Sequence, residues 1–227
     1  MARHPEDLID NGRNPSATAM KPVAPLPLIS LDNPCLHRPA TEVPDAAFGS
    51  GEALEIAGLV NATFDDLFKR RVGVGLAAPQ VGLSFRVLAA EDFGKTAQSP
   101  VWHAEVERVP FDRVVMCNPV LVESSLQQQI AWETCLSQPQ VIGLVARPQR
   151  ITVTYRDLKG ASRQITATGW QARILCHEID HLAGCLCSRH YLGISGLEMP
   201  VYTEQWRERS LVQAMVALLP GEPETRR

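Results

Sequence analysis

The stretch Cys176-His177-Glu178-Ile179-Asp180-His181 contains H-E-x-x-H, and its reading decides what kind of chain this is. On a helix of about 3.6 residues per turn, side chains four apart lie above one another, so His177 and His181 can grip one cation with Glu178 beside them. That is the helical arrangement in which two imidazoles bind a metal and a glutamate moves protons. A catalytic site of this type also needs a third protein ligand and a position open to water. Cys135, upstream of the motif, is the candidate for that ligand.

The motif alone is equally compatible with two histidines and a glutamate on a solvated helix face. Its flanks shift the balance. Leu175, Ile179 and Leu182 follow an i, i+4, i+7 spacing roughly opposite the histidines, which gives the helix an apolar stripe to pack. With that face in a core, imidazoles and a carboxylate turned inward are costly unless paired, hydrogen-bonded or metallated. Gly184, just past the periodic residues, is the expected helix stop.

Composition bounds the rest. The 227 residues suit one large domain or a domain with appendages, and 45% hydrophobic content suffices for a core. A net charge of -3 argues against nucleic-acid binding through broad electrostatics. No apolar run approaches the roughly 20 residues needed to cross a bilayer. Residues 1–22 lack the apolar core of a signal peptide, so the expected location is the cytoplasm, where the six cysteines stay mostly reduced. None of the six shows the C-x-x-C spacing of a structural zinc site.

Residues 1–23 are polar and broken by Pro5, Gly12, Pro15 and Pro22, and read as an extension that is flexible or borrows order from a partner. Ser50 is the expected cap of a helix in which Ile56, Val60, Thr63 and Leu67, with Phe64 and Phe68 alongside, keep helical spacing until Gly73. The run Gly73-Val74-Gly75-Leu76-Ala77-Ala78-Pro79-Gln80-Val81-Gly82 lacks the Lys-Ser or Lys-Thr of a phosphate loop. Its small residues suit a tight turn, or a backbone that approaches a ligand closely with Gln80 as its hydrogen-bonding side chain.

Residues 85–90 and 114–122 read as strands, the second interrupted by Asn118-Pro119; the insert at 91–110 is irregular, and its His103 has no assigned role. A strand over residues 130–136 runs into Ser137-Gln138-Pro139, so Cys135 sits where strand gives way to turn. Residues 149–157 alternate, and Lys159-Gly160 turn the chain into a partner strand ending near Thr168, directly before the motif helix. Thr203 is the expected cap of a final helix holding Trp206, Leu211, Met215 and Leu218 and stopped by Pro220. The expected fold is α+β, with mixed, mostly antiparallel strands packed around a central H-E-x-x-H helix, one helix in the N-terminal half and one at the C-terminus. The divisions are an extension at 1–23, a catalytic domain at 24–192 and a C-terminal extension at 193–227.

Three segments occur in order: Gly73-Val74-Gly75-Leu76-Ala77-Ala78-Pro79-Gln80, Glu133-Thr134-Cys135-Leu136-Ser137 and His177-Glu178-Ile179-Asp180-His181-Leu182. Together they resemble the three signature motifs of peptide deformylases. The likeness runs over residues 26–191; Asn118-Pro119, Val145-Ala146-Arg147 and Gly169-Trp170-Gln171-Ala172-Arg173 look like the organelle-type branch.

The resemblance implies removal of the formyl group from the initiator methionine of new polypeptides, with release of formate. It implies one divalent metal, Fe(II) by expectation and Zn(II), Ni(II) or Co(II) as substitutes in a crystal, held by Cys135, His177 and His181. Glu178 would pass a proton from water to the departing amine. The Gln80 side chain and the Leu136 backbone N–H would stabilise charge on the formyl oxygen. The substrate backbone would lie along Val74, Gly75 and Thr134 as an added strand. Glu133 and Arg147 match the family pattern as a pair bracing the cysteine segment, the alternative being two unrelated surface charges. The implied partners are N-formylmethionyl peptides, with passing proximity to the ribosome and a homodimer allowed, and neither membrane nor direct nucleic-acid contact.

This chain departs from the family at Thr134 and Cys176, where glycine and glutamine are usual, and at Gln140 and Ile142 in the expected loop after Cys135. A β-branched Thr134 beside the metal would narrow substrate access. Two other readings follow: a relative that binds metal and peptide ends with weak turnover or altered specificity, and a structural metal module closed by Cys187 or His190.

Overall fold

Strand β2 (Val87–Asp92) is buried on both faces over its first four residues, and its neighbours account for this. It pairs antiparallel with β1 (Gly75–Ala77) and β3 (Phe111–Ser124). Strands β6 (Arg150–Arg156) and β7 (Ser162–Thr168) extend the sheet in the order β1-β2-β3-β6-β7. Since side chains alternate across a strand, Val87 and Ala89 share one core with Val60 and Phe64 of helix α2 (Glu52–Lys69). Leu88 and Ala90 share the other with Leu175 and Leu182 of helix α3 (Gly169–Leu182). The computed structural model describes residues 24–69, 73–92, 94, 106–193 and 196–219. The expected extension at 1–23, His103 and the stop at Pro220 lie outside the described residues, as does the side chain of Phe68.

A second sheet covers the other side of α3. Strands β4 (Gln128–Cys135) and β5 (Gln138–Pro148) form a hairpin, and β8 (Leu197–Glu198) adds to β5, giving the order β4-β5-β8. Trp132 and Leu144 of the hairpin join Ala172 and Leu175 in the core, so the helix carrying the motif lies between the two sheets. Its stripe of Leu175, Ile179 and Leu182 packs as the spacing implies. Gly184 ends it with φ 72°, and the Gly184 and Cys185 amides donate back to the His181 and Asp180 carbonyls, a Schellman closure. Among the described residues no helix is long and apolar enough to cross a membrane. The architecture is mixed α+β with antiparallel sheets.

Several local expectations change. Ser50 closes a separate helix α1 (Asp45–Ser50), because Gly51, left-handed at φ 89°, breaks the chain before α2; the Ser50 hydroxyl still accepts from the Glu52 amide that opens α2 at 3.5 Å. β3 runs through Asn118-Pro119: Asn118 takes φ 51°, the register shifts between Cys117 and Val120, and the Asn118 amide grips both backbone groups of Val43 at 2.8 Å. Such a bulge absorbs the proline without ending the strand. The single C-terminal helix is two, α4 (Met199–Gln205) and α5 (Leu211–Leu218). Thr203 is inside α4, donating to the Met199 carbonyl, and Ser210 with Gln213 forms the capping box of α5. Tyr202 of α4 packs edge-on to Trp132, ring centroids 5.0 Å apart, backing the hairpin. Gln140 and Ile142 lie on β5, not in a loop; Ile142 is buried in the core and Gln140 faces solvent.

Candidate metal centre

Cys135 is the last residue of β4, just past a register shift between Glu133 and Cys135. Glu133 and Cys135 both face inward, whereas Thr134 is exposed and its hydroxyl donates to the Val141 carbonyl at 2.9 Å. The Thr134 hydroxyl is thus engaged by the neighbouring strand β5, and the cysteine keeps its place as a candidate ligand.

From the opposite side α3 presents His177, Glu178 and His181. His181 Nε2 is 3.2 Å from Cys135 Sγ, the two imidazole centroids are 5.1 Å apart, and one donor atom from each of Cys135, His177 and His181 lies within 4.8 Å of the others. Among the described residues this is the group of ligating side chains that converges in this way. One thiol and two imidazoles form a donor set suited to zinc or a late first-row divalent ion.

Glu133 orients the first imidazole. Its carboxylate accepts from His177 Nδ1 at 3.2 Å, which leaves Nε2 of that ring for a cation. It also accepts from Arg147 Nε and Nη2, both at 3.0 Å, and from Arg173 Nη1 at 2.6 Å. Arg147 continues to Asp180 on the motif helix, and Arg173 donates to the Val145 and Gln129 carbonyls of the hairpin. Sequence reading paired Glu133 with Arg147 but gave Arg173 no role. Its signal was a lone arginine amid apolar residues of a helix that had to be buried. Burial would raise the Glu133 carboxyl, but His177 and Arg147 outweigh it and hold the group well below the ordinary carboxylate range.

In the metal-free site burial opposes charge on His177, yet the hydrogen bond to Glu133 and the nearby Glu178 raise it to about 9. His181 is pushed well below its usual value by burial and by the His177 charge. Burial, against the His177 charge, pushes Glu178 up to about 7. Its Oε2 and the Nδ1 of His181 are buried without hydrogen-bond partners.

Glu178 leans against β1. A Cβ on Gly75 would overlap its carboxylate, so the glycine makes room for a site side chain. Gln80, 1% exposed, accepts from the Ala77 amide at 2.8 Å through Oε1. This fixes the amide so that Nε2 donates toward Cys135 Sγ at 3.7 Å and to Ser137 Oγ at 3.3 Å. Leu136 opens the turn after Cys135, its side chain against Gly73, and the Ser137 amide donates to Cys135 Sγ at 3.3 Å. Val74 and Gly75 lie at β1 and Thr134 on β4, each strand at the outer edge of its sheet.

Of the alternative ligands, Cys176 is buried with its thiol pushed up to about 11 by that burial, and it stands outside the converging group. His190 bonds Asp180 at 3.0 Å near the surface. Cys187 is buried with its Sγ 3.6 Å from the Tyr191 hydroxyl, and it too falls outside the three-donor group.

Residues 25–194 match the family model described as polypeptide deformylase. The chain is 36% identical over 185 residues to peptide deformylase 1A, chloroplastic/mitochondrial, of Arabidopsis thaliana, covering 77% of this chain and 66% of the relative, just under two thirds of its length. It is 39% identical over 160 residues to peptide deformylase 1 of Nitrosomonas europaea, covering 70% of this chain and 84% of the relative. Among solved structures, the class I type b peptide deformylase from Acinetobacter baumannii with Met-Ala-Ser bound superposes with a TM-score of 0.63 at 31% identity, over 74% of this chain and 98% of that one.

Proposed function

Because this chain belongs to the peptide deformylase family, we propose that it hydrolyses the formyl amide of N-formylmethionyl peptides, releasing formate and a free amino terminus. The convergence of the Cys135 sulfur with the His177 and His181 imidazoles within 4.8 Å, beside a buried Glu178, carries this reading. The donor set, with the buried and partnerless Oε2 of Glu178 beside it, fits a divalent ion better than a closed polar core. We assign Fe(II), for which Zn(II), Ni(II) and Co(II) are substitutes with the same three ligands. When bound, the ion supplies Lewis acidity and makes water a nucleophile near neutral pH.

The chain's own groups do the rest. Glu133, held by two arginines, fixes the His177 ring. Glu178, buried beside the converging donors, takes the proton of the attacking water and delivers it to the leaving nitrogen. Charge growing on the formyl oxygen is met by Gln80 Nε2, already oriented by Ala77, and by the Leu136 N–H at the turn. A peptide like the Met-Ala-Ser bound by the Acinetobacter relative, formylated at its amino terminus, runs along Val74-Gly75 on one sheet edge and Thr134 on the other. A cytoplasmic setting beside ribosomes making such chains follows from the substrate and belongs to the same proposal.

Anaerobic incubation of iron-loaded protein with formyl-Met-Ala-Ser, assayed for formate, tests the reading. Release by the parent and its loss in Glu178→Ala at unchanged metal content is the expected result. Metal-loaded parent that yields no formate from any of several formylated peptides overturns it.

A further inference from the structure

The Gln80 side chain has two amide hydrogens, and the proposed reaction employs one of them. Its Oε1 accepts from the Ala77 amide at 2.8 Å. From Nε2 one contact runs to Ser137 Oγ at 3.3 Å and another to Cys135 Sγ at 3.7 Å. Because the two N–H bonds of a carboxamide diverge within its plane, each partner takes its own hydrogen. Gln80 and Ser137 are both buried, so bulk solvent is a poor substitute for either contact. The two residues arrive from different elements: Gln80 stands in the short 3-10 turn Ala78–Val81 after β1, Ser137 in the turn between β4 and β5. The Ser137 amide, donating to Cys135 Sγ at 3.3 Å, fixes its own backbone beside the candidate ligand.

We propose that Ser137 is a positioning residue for the oxyanion donor: its hydroxyl holds one hydrogen of Gln80 Nε2, so that the other is kept on the Cys135 side, where the formyl oxygen acquires its charge. The contact to sulfur is the longer of the two, and it is the one a formyl oxygen can take over. With Oε1 as its only tether the carboxamide would be free to swing about its last side-chain bond. A donor that must then find its direction during the reaction loses the advantage of one already in place. Two other uses of the hydroxyl make different predictions: bonding the substrate directly, or only tying its own turn.

The inference rests on the deformylase reading, and the test keeps the two apart. Formate release and metal content are measured for metal-loaded parent, Ser137→Ala, Gln80→Ala and the double variant. A parent that releases no formate removes the reading, and this role with it. With an active parent, Ser137→Ala is expected to lower kcat about 5–10-fold, the worth of one neutral hydrogen bond. KM should not move, because the charge exists only in the transition state. In the Gln80→Ala background the same substitution should cost nothing further, since the group it positions is gone. An unchanged kcat in Ser137→Ala, or an equal loss in both backgrounds, overturns the proposal. Nuclear magnetic resonance of metal-free protein with isotope-labelled glutamine gives a readout without turnover. One Gln80 amide proton is expected to exchange slowly with solvent in the parent and to lose that protection in Ser137→Ala. Two fast-exchanging protons in the parent overturn the proposal even if no variant folds.

Discussion

At Gly75 the absence of a side chain lets a carboxylate stand where the chemistry needs it. A Cβ there overlaps Glu178, and the carboxylate would have to move off the line between the metal ligands and the β1 edge. Gly75→Ala is expected to lower kcat by about 100-fold, the scale of an ångström-sized misplacement of a reacting group. Metal content should stay unchanged, since none of the three ligands is touched. Formate release measured beside metal analysis checks this, and a variant with normal turnover would show that Glu178 has slack the packing does not suggest. Gln80 illustrates the same logic in reverse: the Ala77 amide consumes its acceptor, so only its donor is left for the site.

At the scale of elements, the motif helix is bound to the hairpin through one carboxylate. Glu133 receives the guanidinium groups of Arg147 and Arg173 and the ring of His177, so replacing it leaves two buried cations short of a counter-charge. Glu133→Gln is expected to cost about 3–5 kcal/mol of stability. It should also weaken metal binding by about 10–100-fold, because the ring is no longer oriented. The pH dependence follows from the depressed carboxyl. Below the ordinary value of 4.5 the unfolded chain binds a proton that the folded one refuses, so this contribution is complete above that pH and is lost as the pH falls through the acid range. Thermal melts of metal-free protein should therefore drop more steeply in acid for the parent than for the variant. At the helix end, Gly184 is left-handed, and a Cβ there would approach the Arg38 backbone nitrogen to 2.6 Å. Gly184→Ala is expected to cost about 1–3 kcal/mol, read as a lowered urea midpoint.

For the whole molecule, the three proposed ligands come from two bodies of structure: Cys135 from the hairpin sheet and the histidines from the helix that the larger sheet also packs against. A cation bound by them would fasten the hairpin to the rest of the fold. Binding only the folded state, it should add about 4.1 kcal/mol at a thousandfold excess over its Kd, raising Tm on nickel or cobalt addition and losing that gain to a chelator. An unchanged Tm across such a titration would mean that the donors do not close on an ion.

Much of this was legible in the residues. The i, i+4 histidines, the Leu175, Ile179, Leu182 stripe, the hairpin around Lys159-Gly160 and the Gly184 stop are local patterns, because helix and strand periods and left-handed turns are properties of a few consecutive residues. Other features needed the tertiary structure: Arg173 completing the Glu133 cage, Thr134 turning outward and Gly51 splitting one helix from the next. Each depends on segments distant in the chain arriving together or on a backbone choice made by packing. By itself the sequence determined which chemistry-bearing side chains exist and the helix face that carries two of the ligands. Only the packing of the hairpin against that helix brings the Cys135 thiol, the candidate named from sequence, within 4.8 Å of them and sets the Glu133 cage around it, because contact between distant segments leaves no period to read.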